Sequence, residues 1–483
     1  MRGQRLWAGR AVRTYAYRFR ESLFFLPAVL VVVAIGAAQG LLAIDRRHQG
    51  WQDGLPLTFR MSAGAAQTFL SVLAAATITV AATVFSLTVV SLQLASSQFS
   101  PRVLHTFIRD RFSQSVVGVL VAVFTFSVLV LRDVRTDADP PYSPSLSTGV
   151  TVLLAIASVV LIVGYLDHLT RSLQVGRVLH TIGRETKAVI AASARPDPTL
   201  APAPADAPDL RVRPGGVAVV AADDGWIRQA GTAALLAALP PGAALLLRTR
   251  VGAFVVEGQH IATLWLPGDA SAGEPAPAVD DEAVRTVRAV LARIDVGVTR
   301  TMQEDVDFGL RQMTDIALRA LSAAINDPTT AVEAILRIGG VLRHLLAGEP
   351  PPDVVAGPAG RLLCRAWELD PAEYVGHAFD QLRHAGVGHP AVCVAMLRTL
   401  RLQIWVAERH GRHAVVPALR RQMDLLLDAV ATAPGLTEAD RDAVHAAADA
   451  ATDSPHHGMG ARPRNGPAGV AVPAGEWGAD GSV

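Results

Sequence analysis

Along the first third of the chain the apolar residues neither alternate nor recur on one stripe; they run almost unbroken. Four runs stand out: Leu23 to Ile44, Ser62 to Ala95, Val116 to Leu131 and Leu146 to Leu166. A helix crossing a bilayer needs roughly 20 apolar residues, about 17–25. The first and fourth runs fit. The third is short and borrows from its flanks at Arg111 and Arg132. The second is too long, reaching ~50 Å at about 1.5 Å per residue, so it tilts or its end stands out in water. No Asp, Glu, Lys, Arg or His lies inside any of the four. The pattern predicts a four-helix transmembrane domain over 23–166.

After Leu166 the period changes. Leu169, Leu173, Val178, Leu179 and Ile182 recur at helical spacing, and Asp167 with Arg171 makes an i,i+4 pair, so a connecting helix is expected over 167–193. A proline-alanine linker, Ala194 to Leu210, follows. The next region, 211–266, has strand patterning. Val217 to Ala221 and Trp226 to Gln229 flank ADDG, a hairpin signal. Thr232 to Leu239 reads as a short helix, and Ala243 to Arg250 and Phe254 to Leu266 read as strands. A second linker, Pro267 to Asp281, leads into a helical region over 281–451. There Arg361 to Ala366, Pro371 to His384, Pro390 to His410, Val416 to Ala431 and the Thr437-capped stretch Glu438 to Ala450 are expected as packed helices. Residues 452–483 are rich in Gly, Pro, Ala and Asp, and disorder is expected. The fold class is therefore a membrane α-helical domain plus a cytoplasmic α+β region, with a small β-module and a helical C-terminal domain.

Charge sets the orientation. The first 22 residues carry Arg2, Arg5, Arg10, Arg13, Arg18 and Arg20, which the positive-inside rule keeps in the cytoplasm. This leader and the long first run, without a small-residue cleavage pattern, argue against a removable signal peptide. Four spans bring the chain back, so both termini are expected in the cytoplasm of an inner-membrane protein. The outer loops hold Arg46, Arg47, Arg60, Arg132 and Arg135, so the bias is clear at the leader and weaker loop by loop. Of the 483 residues 51% are hydrophobic and 18% charged, and the net charge of +1 gives no basis for a nucleic-acid partner. The expected partners are the lipid bilayer and further copies of the chain. Cys364 and Cys393 have no paired spacing for zinc or a disulfide framework and fit a reducing compartment.

Three groups of residues are candidates for function. In the second run Thr68, Thr79, Thr83, Ser86, Gln93 and Ser97 fall within a sector of about 80° of a helix. A weaker stripe holds Thr77, Thr88, Ser91 and Gln98. Such hydroxyls let membrane helices pack closely; alternatively the first stripe walls a water-filled path in an oligomer. Gly36 and Gly40, in GAAQG, form a GxxxG close-contact face. The second group is the joint after that run. Ser100 and Pro101 are a helix start, and Arg102, His105, Arg109 and Arg111 project from a short helix whose apolar face is Val103, Leu104, Phe107 and Ile108. It either lies in the inner membrane interface or packs as a connector on the soluble part. The third group is DVDFGLRQMTDIALRALSAAINDPTTAVEAILRI (Asp305 to Ile338). Leu310, Met313, Ile316, Ala317, Ala320, Leu321 and Ala324 form an apolar face, and Arg311, Asp315 and Arg319 an i,i+4 charge ladder. Asn326, Asp327 and Pro328 end one helix and start the next, giving an αα-hairpin. Capping and surface ion pairing account for these carboxylates without chemistry.

Signatures of catalysis are missing: there is no GxxxxGK[ST], strand-linked GxGxxG, HExxH or GxSxG. His384, His389, Cys393, His410 and His413 match no ligand spacing. No residue is assigned a catalytic, cofactor-binding or metal-ligating role. A non-enzymatic, channel-like or transport-related oligomer with a cytoplasmic regulatory module is expected, or alternatively a membrane-anchored sensor or scaffold.

Two resemblances bear on this. VGAFVVEGQHIATLW resembles a hairpin of the biotinyl/lipoyl-like β-sandwich family, which carries its cofactor on a tip lysine. The sole lysine, Lys187, is elsewhere, so no cofactor is expected and the module reads as structural or oligomer-forming. SLTVVSLQLASSQFSPRVLHTFIRDR and DFGLRQMTDIALRALSAAINDPTTA resemble the hallmark segments of the bacterial predicted membrane protein family known as domain of unknown function 2254, from about Arg18 to about Ala431. That resemblance implies the membrane-plus-cytoplasmic architecture and no activity.

Overall fold

The computed structural model describes residues 24–47, 61–98, 102, 110–138, 141–172, 174–193, 200–204, 206–267, 281–365 and 369–449. The arginine leader, Ser100, Pro101, Arg109, most of the second linker and the C-terminal tail lie outside the described residues.

Four apolar helices come first: α1 (Phe25–Arg47), α2 (Ala63–Gln98), α3 (Arg111–Leu131) and α4 (Ser145–Ser172). The third run does borrow from its flank, beginning at Arg111 with Asp110 as N-cap. α3 is the hub and packs on α1, α2 and α4. α1 comes closest at Gly118, where a Cβ would stand 2.8 Å from Leu30 Cδ1 and 2.9 Å from Pro27 Cα. One cluster, near one end, joins Ala34, Ala38, Leu70, Phe126 and Val130. The other joins Ala81, Val84, Val116, Leu120 and Tyr165. The ends are pinned by charge. Asp45 accepts from the Leu146 and Ser147 N–H groups, each at 3.0 Å, and so caps α4 from the end of α1. Beside it Arg46 pairs with Asp133. At the opposite end Asp110 caps α3 through Phe112 N–H at 3.1 Å and lies 2.8 Å from His168 Nε2 of α4. Among the described residues nothing comes within 4 Å of a Cβ at Gly36 or Gly40, so their spacing makes no close contact there. α1 turns Ala34, Ala38 and Leu42 inward instead.

After α4 comes α5 (Val175–Ser193), followed by β1 (Ala201–Pro202), β2 (Val217–Val220), β3 (Gly225–Gln229), α6 (Thr232–Ala238), β4 (Ala244–Leu247), β5 (Phe254–Val255), β6 (His260–Trp265), α7 (Asp281–Leu291) and β7 (Asp295–Gly297). Then come α8 (Val306–Ala320), α9 (Pro328–Ala347), β8 (Val354–Gly357), β9 (Arg361–Arg365), α10 (Pro371–Gly386), α11 (Pro390–Arg409), α12 (Val416–Thr432) and α13 (Glu438–Asp449). α5 and α8 to α13 enclose one large apolar core.

The β-module differs from the expectation in three ways. Its strands form a six-stranded sheet in the order β1-β8-β9-β4-β6-β2 and a three-stranded sheet in the order β5-β3-β7. The stretches around ADDG are therefore not a hairpin: β2 pairs with β6, while β3 pairs with β5 and β7. Nor are β5 and β6 a hairpin of the lipoyl kind, since they belong to different sheets. The module is also not confined to 211–266. Arg361 to Arg365, expected as helix, is the strand β9, which runs parallel to β4 with Leu245 opposite Leu363. RLLCR holds too few residues for a helical period to show. Beside it β4, ALLL, is buried on both faces, as a continuous apolar run in a sheet centre must be. Leu245 and Leu247 face one cluster, and Ala244 and Leu246 face the other with Trp265, Cys364 and Leu210.

Among the described residues five helices are long and apolar enough to cross a membrane, α1 to α4 and α11. α11 differs from the others in setting. Its Val392, Leu397, Leu400 and Ala407 are wholly buried in the helical core.

Candidate functional site: the joint on α8

α2 has 36 residues, about 54 Å of helix against a hydrocarbon core of about 30 Å. Its surplus is used at one end. Ala95 is buried within the core built by α5 and α8 to α13. A few residues later Arg102 reaches α8. Its Nη1 donates to Asp315 Oδ2 at 2.6 Å, and its carbonyl accepts from Gln312 Nε2 at 2.8 Å. Arg102 and Asp315 are 213 residues apart in the chain, and through them the two segments that carry the family resemblance meet here. Asp315 thus reaches across to Arg102, a partner outside its own helix. Arg311 lies 4.0 Å from Asp307. Arg319 is half-buried in the last turn of α8, where a cation suits the helix dipole. Arg111 is exposed at the first residue of α3.

α5 holds α8 from a third side. Gly309 of α8 lies so close that a Cβ would collide with the Thr186 hydroxyl. Thr186 is wholly buried, and its hydroxyl donates to Ile182 O at 2.7 Å.

At its N-terminus α8 carries the densest charge cluster. Asp305 caps the helix through Phe308 N–H at 3.0 Å. Arg300 donates to both Asp305 oxygens at 2.8 Å and to Asp307 Oδ2 at 3.0 Å. His377 Nδ1 of α10 lies 2.7 Å from Asp307 Oδ1. The guanidinium stands 5.4 Å from the Trp226 ring and 5.3 Å from the Phe308 ring. Gly252, with φ +82°, has its backbone against Asp305 and Arg300, where a side chain would collide. One arginine thus ties β3 to α8 and, through Asp307, to α10. Both carboxylates are almost fully buried. Burial pushes Asp305 up and outweighs the pull of Arg300. Burial pushes Asp307 up too, but the hydrogen bonds of His377 and Arg300 win and hold it at about 2. Arg300, Asp307 and His377 were not singled out from the sequence. The DVD pair in the motif was the only local signal, since the partners come from other elements.

Asn326, Asp327 and Pro328 act as the turn between α8 and α9. Asn326 takes φ 49°, a left-handed conformation that asparagine tolerates. Asp327 N–H donates to Ala320 O at 2.8 Å, and its carboxylate caps α9 through Thr330 N–H at 3.1 Å. The Thr330 hydroxyl and N–H hold the Asp327 carboxyl below the usual range.

The hydroxyl stripes of α2 part company. Thr77, Thr88 and Ser91 are buried, and Thr88 Oγ1 lies 2.8 Å from the Tyr165 hydroxyl of α4. Thr68, Thr79, Thr83, Ser86 and Gln93 face outward; the Ser97 side chain lies outside the described residues. Thr68, Thr79 and Thr83 donate to the carbonyls of Gly64, Ala75 and Thr79 in their own helix. Among the described residues no group of three or more His, Cys, Asp or Glu gathers as metal ligands.

Comparison with known proteins places this arrangement among relatives. A family model described as predicted membrane protein (DUF2254) matches residues 20–402. The chain is 34% identical over 390 residues to uncharacterized protein Rv1290c of Mycobacterium tuberculosis, covering 78% of this chain and 71% of that one. It is equally similar, at 34% over the same shares, to uncharacterized protein Mb1321c of Mycobacterium bovis. No solved structure matches.

Proposed function

The chain belongs to the DUF2254 family of predicted membrane proteins, and on that premise we propose that it is a non-enzymatic homo-oligomer of the inner membrane with a channel-like or transport-related role. Its spans are α1 to α4, with both ends of the chain in the cytoplasm. α2 lines or supports a path between copies, and the cytoplasmic part holds and regulates the assembly. The observation that carries this reading is the continuity of α2. A single helix bears the outward hydroxyl face and, in its last turn, buries Ala95 in the core of the helical domain. A shift of that domain is therefore a shift of the wall.

A contrast within the protein supports the contact between copies. The outward face of α4 is large and apolar, with Leu153, Ile156, Val160 and Val163 exposed as lipid requires. The outward stripe of α2 carries Gly64, Thr68, Ala75, Thr79, Thr83 and Ser86, with Val72 and Val90 exposed among them. Small and hydroxyl residues serve helix–helix approach. α11 is assigned to the cytoplasm because its apolar residues are already used in the helical core.

Full-length protein in liposomes is expected to pass ions or small solutes, with flux altered by Thr83→Leu or Ser86→Leu. Absence of flux for every solute tried, together with a monomer in detergent, would sink the reading. A sensor or scaffold role is the second reading, favoured by the size of the helical core relative to the clusters among α1 to α4. A fragment from Val175, which keeps α5, should then fold alone and capture one ligand or protein.

A further inference from the structure

The first helix after the apolar domain carries a charge pattern that its fold does not require. α5 begins at Val175, close behind the end of α4 at Ser172. Its inner face, with Val178, Leu179, Ile182 and Thr186, is buried in the helical core. Its outer face presents Arg177, His180, Arg184 and Lys187, all exposed and at helical spacing. α9 completes a groove beside it. Arg337 Nη1 lies 3.2 Å from His180 Nδ1, and the bare backbone of Gly340 makes room for Lys187, whose Nζ is 3.4 Å from where a Cβ would stand.

Acidic compensation is slight. Glu333 is held by Arg337 at 3.2 Å, and Glu185 on the flank is half-buried with contacts of its own. Among the described residues Arg177, Arg184 and Lys187 have no ion-pair partner. A merely solvated helix face mixes its signs, as α7 does with Asp281, Glu282, Arg285 and Arg288. Helix stability does not call for the pattern either, since Arg177 stands in the first turn, where the dipole disfavours a cation.

We propose that this groove between α5 and α9 binds the phosphate headgroups of anionic phospholipids in the leaflet from which α4 emerges. The cations spread over about 15 Å of helix, too far for one phosphate and suited to a row of them. The groove continues directly from an apolar helix whose exposed face is that of a lipid-facing span. Cations at a membrane surface are drawn to anionic lipid in this way. The contact would fix the helical domain, and with it the end of α2, against the bilayer.

The test uses full-length protein in nanodiscs of phosphatidylcholine mixed with phosphatidylglycerol, released and weighed by native mass spectrometry. Wild type should retain phosphatidylglycerol over phosphatidylcholine. Arg184→Gln with Lys187→Gln should lower that retention by about thirty-fold, at about 1 kcal/mol per cation. Arg285→Gln with Arg288→Gln on α7 should leave it unchanged. Equal retention by wild type and the α5 variant overturns the proposal, and so does an equal loss in the α7 variant. Binding of free glycerol phosphate as tight as binding of the lipid would also overturn it, by pointing to a soluble anion.

Discussion

Asp307→Asn is the most direct probe of how the β-module is fastened to the helical domain. The carboxylate is buried and takes hydrogen bonds from Arg300 and His377. Its pKa falls from 3.8 to about 2, which at about 1.4 kcal/mol per pH unit is about 2 to 3 kcal/mol of stability. The folded value is depressed, so this contribution is present above pH 3.8 and lost as pH falls toward 2. Asp305 has the opposite sign. Its folded pKa is raised, so its contribution is present below the unfolded value and lost as pH rises through the folded one. The variant also relieves the push of Asp307 on Asp305, the smallest of the causes acting there, so the acid step in the difference between parent and variant belongs chiefly to Asp307. At neutral pH the asparagine should cost about 3 kcal/mol, the range for removing one partner from a buried ion pair. The chain has more than one core and will not unfold in one step, so the readout must be local. Trp226, 5.4 Å from the Arg300 guanidinium, supplies it. Urea titration by fluorescence, with Trp226→Phe as the subtraction, should show the parent losing stability between about pH 4 and pH 2 and Asp307→Asn lacking that step. If the variant matches the parent at neutral pH, or keeps the same acid step, the cluster is not a fastening and the reasoning fails.

Two further perturbations address the sides of α8. Gly309→Ala should destabilise by about 2 kcal/mol, because the collision with Thr186 puts overpacking at the upper end of about 1–3 kcal/mol, against a helix-propensity gain of about 1 kcal/mol. Adding Thr186→Ala, which removes the colliding hydroxyl and methyl, should recover most of the loss in a thermal melt, and a purely additive double variant would contradict the close approach. For the joint, Arg102→Ala and Asp315→Ala should show a coupling energy of about 0.5–1 kcal/mol in a double-mutant cycle, small because Arg102 is largely exposed. Zero coupling would remove the pair from the link between α2 and α8.

The helices were legible because their signals are local. The apolar runs, the Asn326-Asp327-Pro328 stop and start and the Thr437 cap each sit within a few residues of the element they start. The sheets were not, because their pairings are distant. β4 lies between β6 and β9, and β9 follows it in sequence by more than a hundred residues. ADDG looked like a hairpin turn, yet the chain there passes from one sheet to the other. Gly258, at φ +78°, breaks the other apparent hairpin, and its N–H returns to Ala221 O. The joint was half-legible. Arg102 and Asp315 each stand out in their own motif, and only the tertiary fold shows that they are partners.

The two stripes of α2 show a deeper limit, and it bears on function. Both are rich in hydroxyls at helical spacing, and periodicity alone cannot say which one faces a neighbour. Thr77 and Thr88 on the buried stripe bond back to Leu73 and Val84 carbonyls, as Thr79 and Thr83 on the exposed stripe bond to Ala75 and Thr79. A threonine that satisfies its proton on its own helix imposes little on its surroundings, whether lipid, protein or water. Its polarity therefore does not locate the interface. Bulk does: Tyr165 on α4 fills the space over Thr88, and among the described residues nothing fills the space over Gly64. A second copy brought to that face meets mostly small side chains, with Val72 and Val90 among them, whereas at α4 it would meet Leu153, Ile156, Val160 and Val163. Cross-links between copies through cysteines placed at Thr79 and Thr83 should therefore form in membranes, and cysteines at Ile156 and Val160 should give none. The reverse pattern would move the contact, and any path beside it, away from α2.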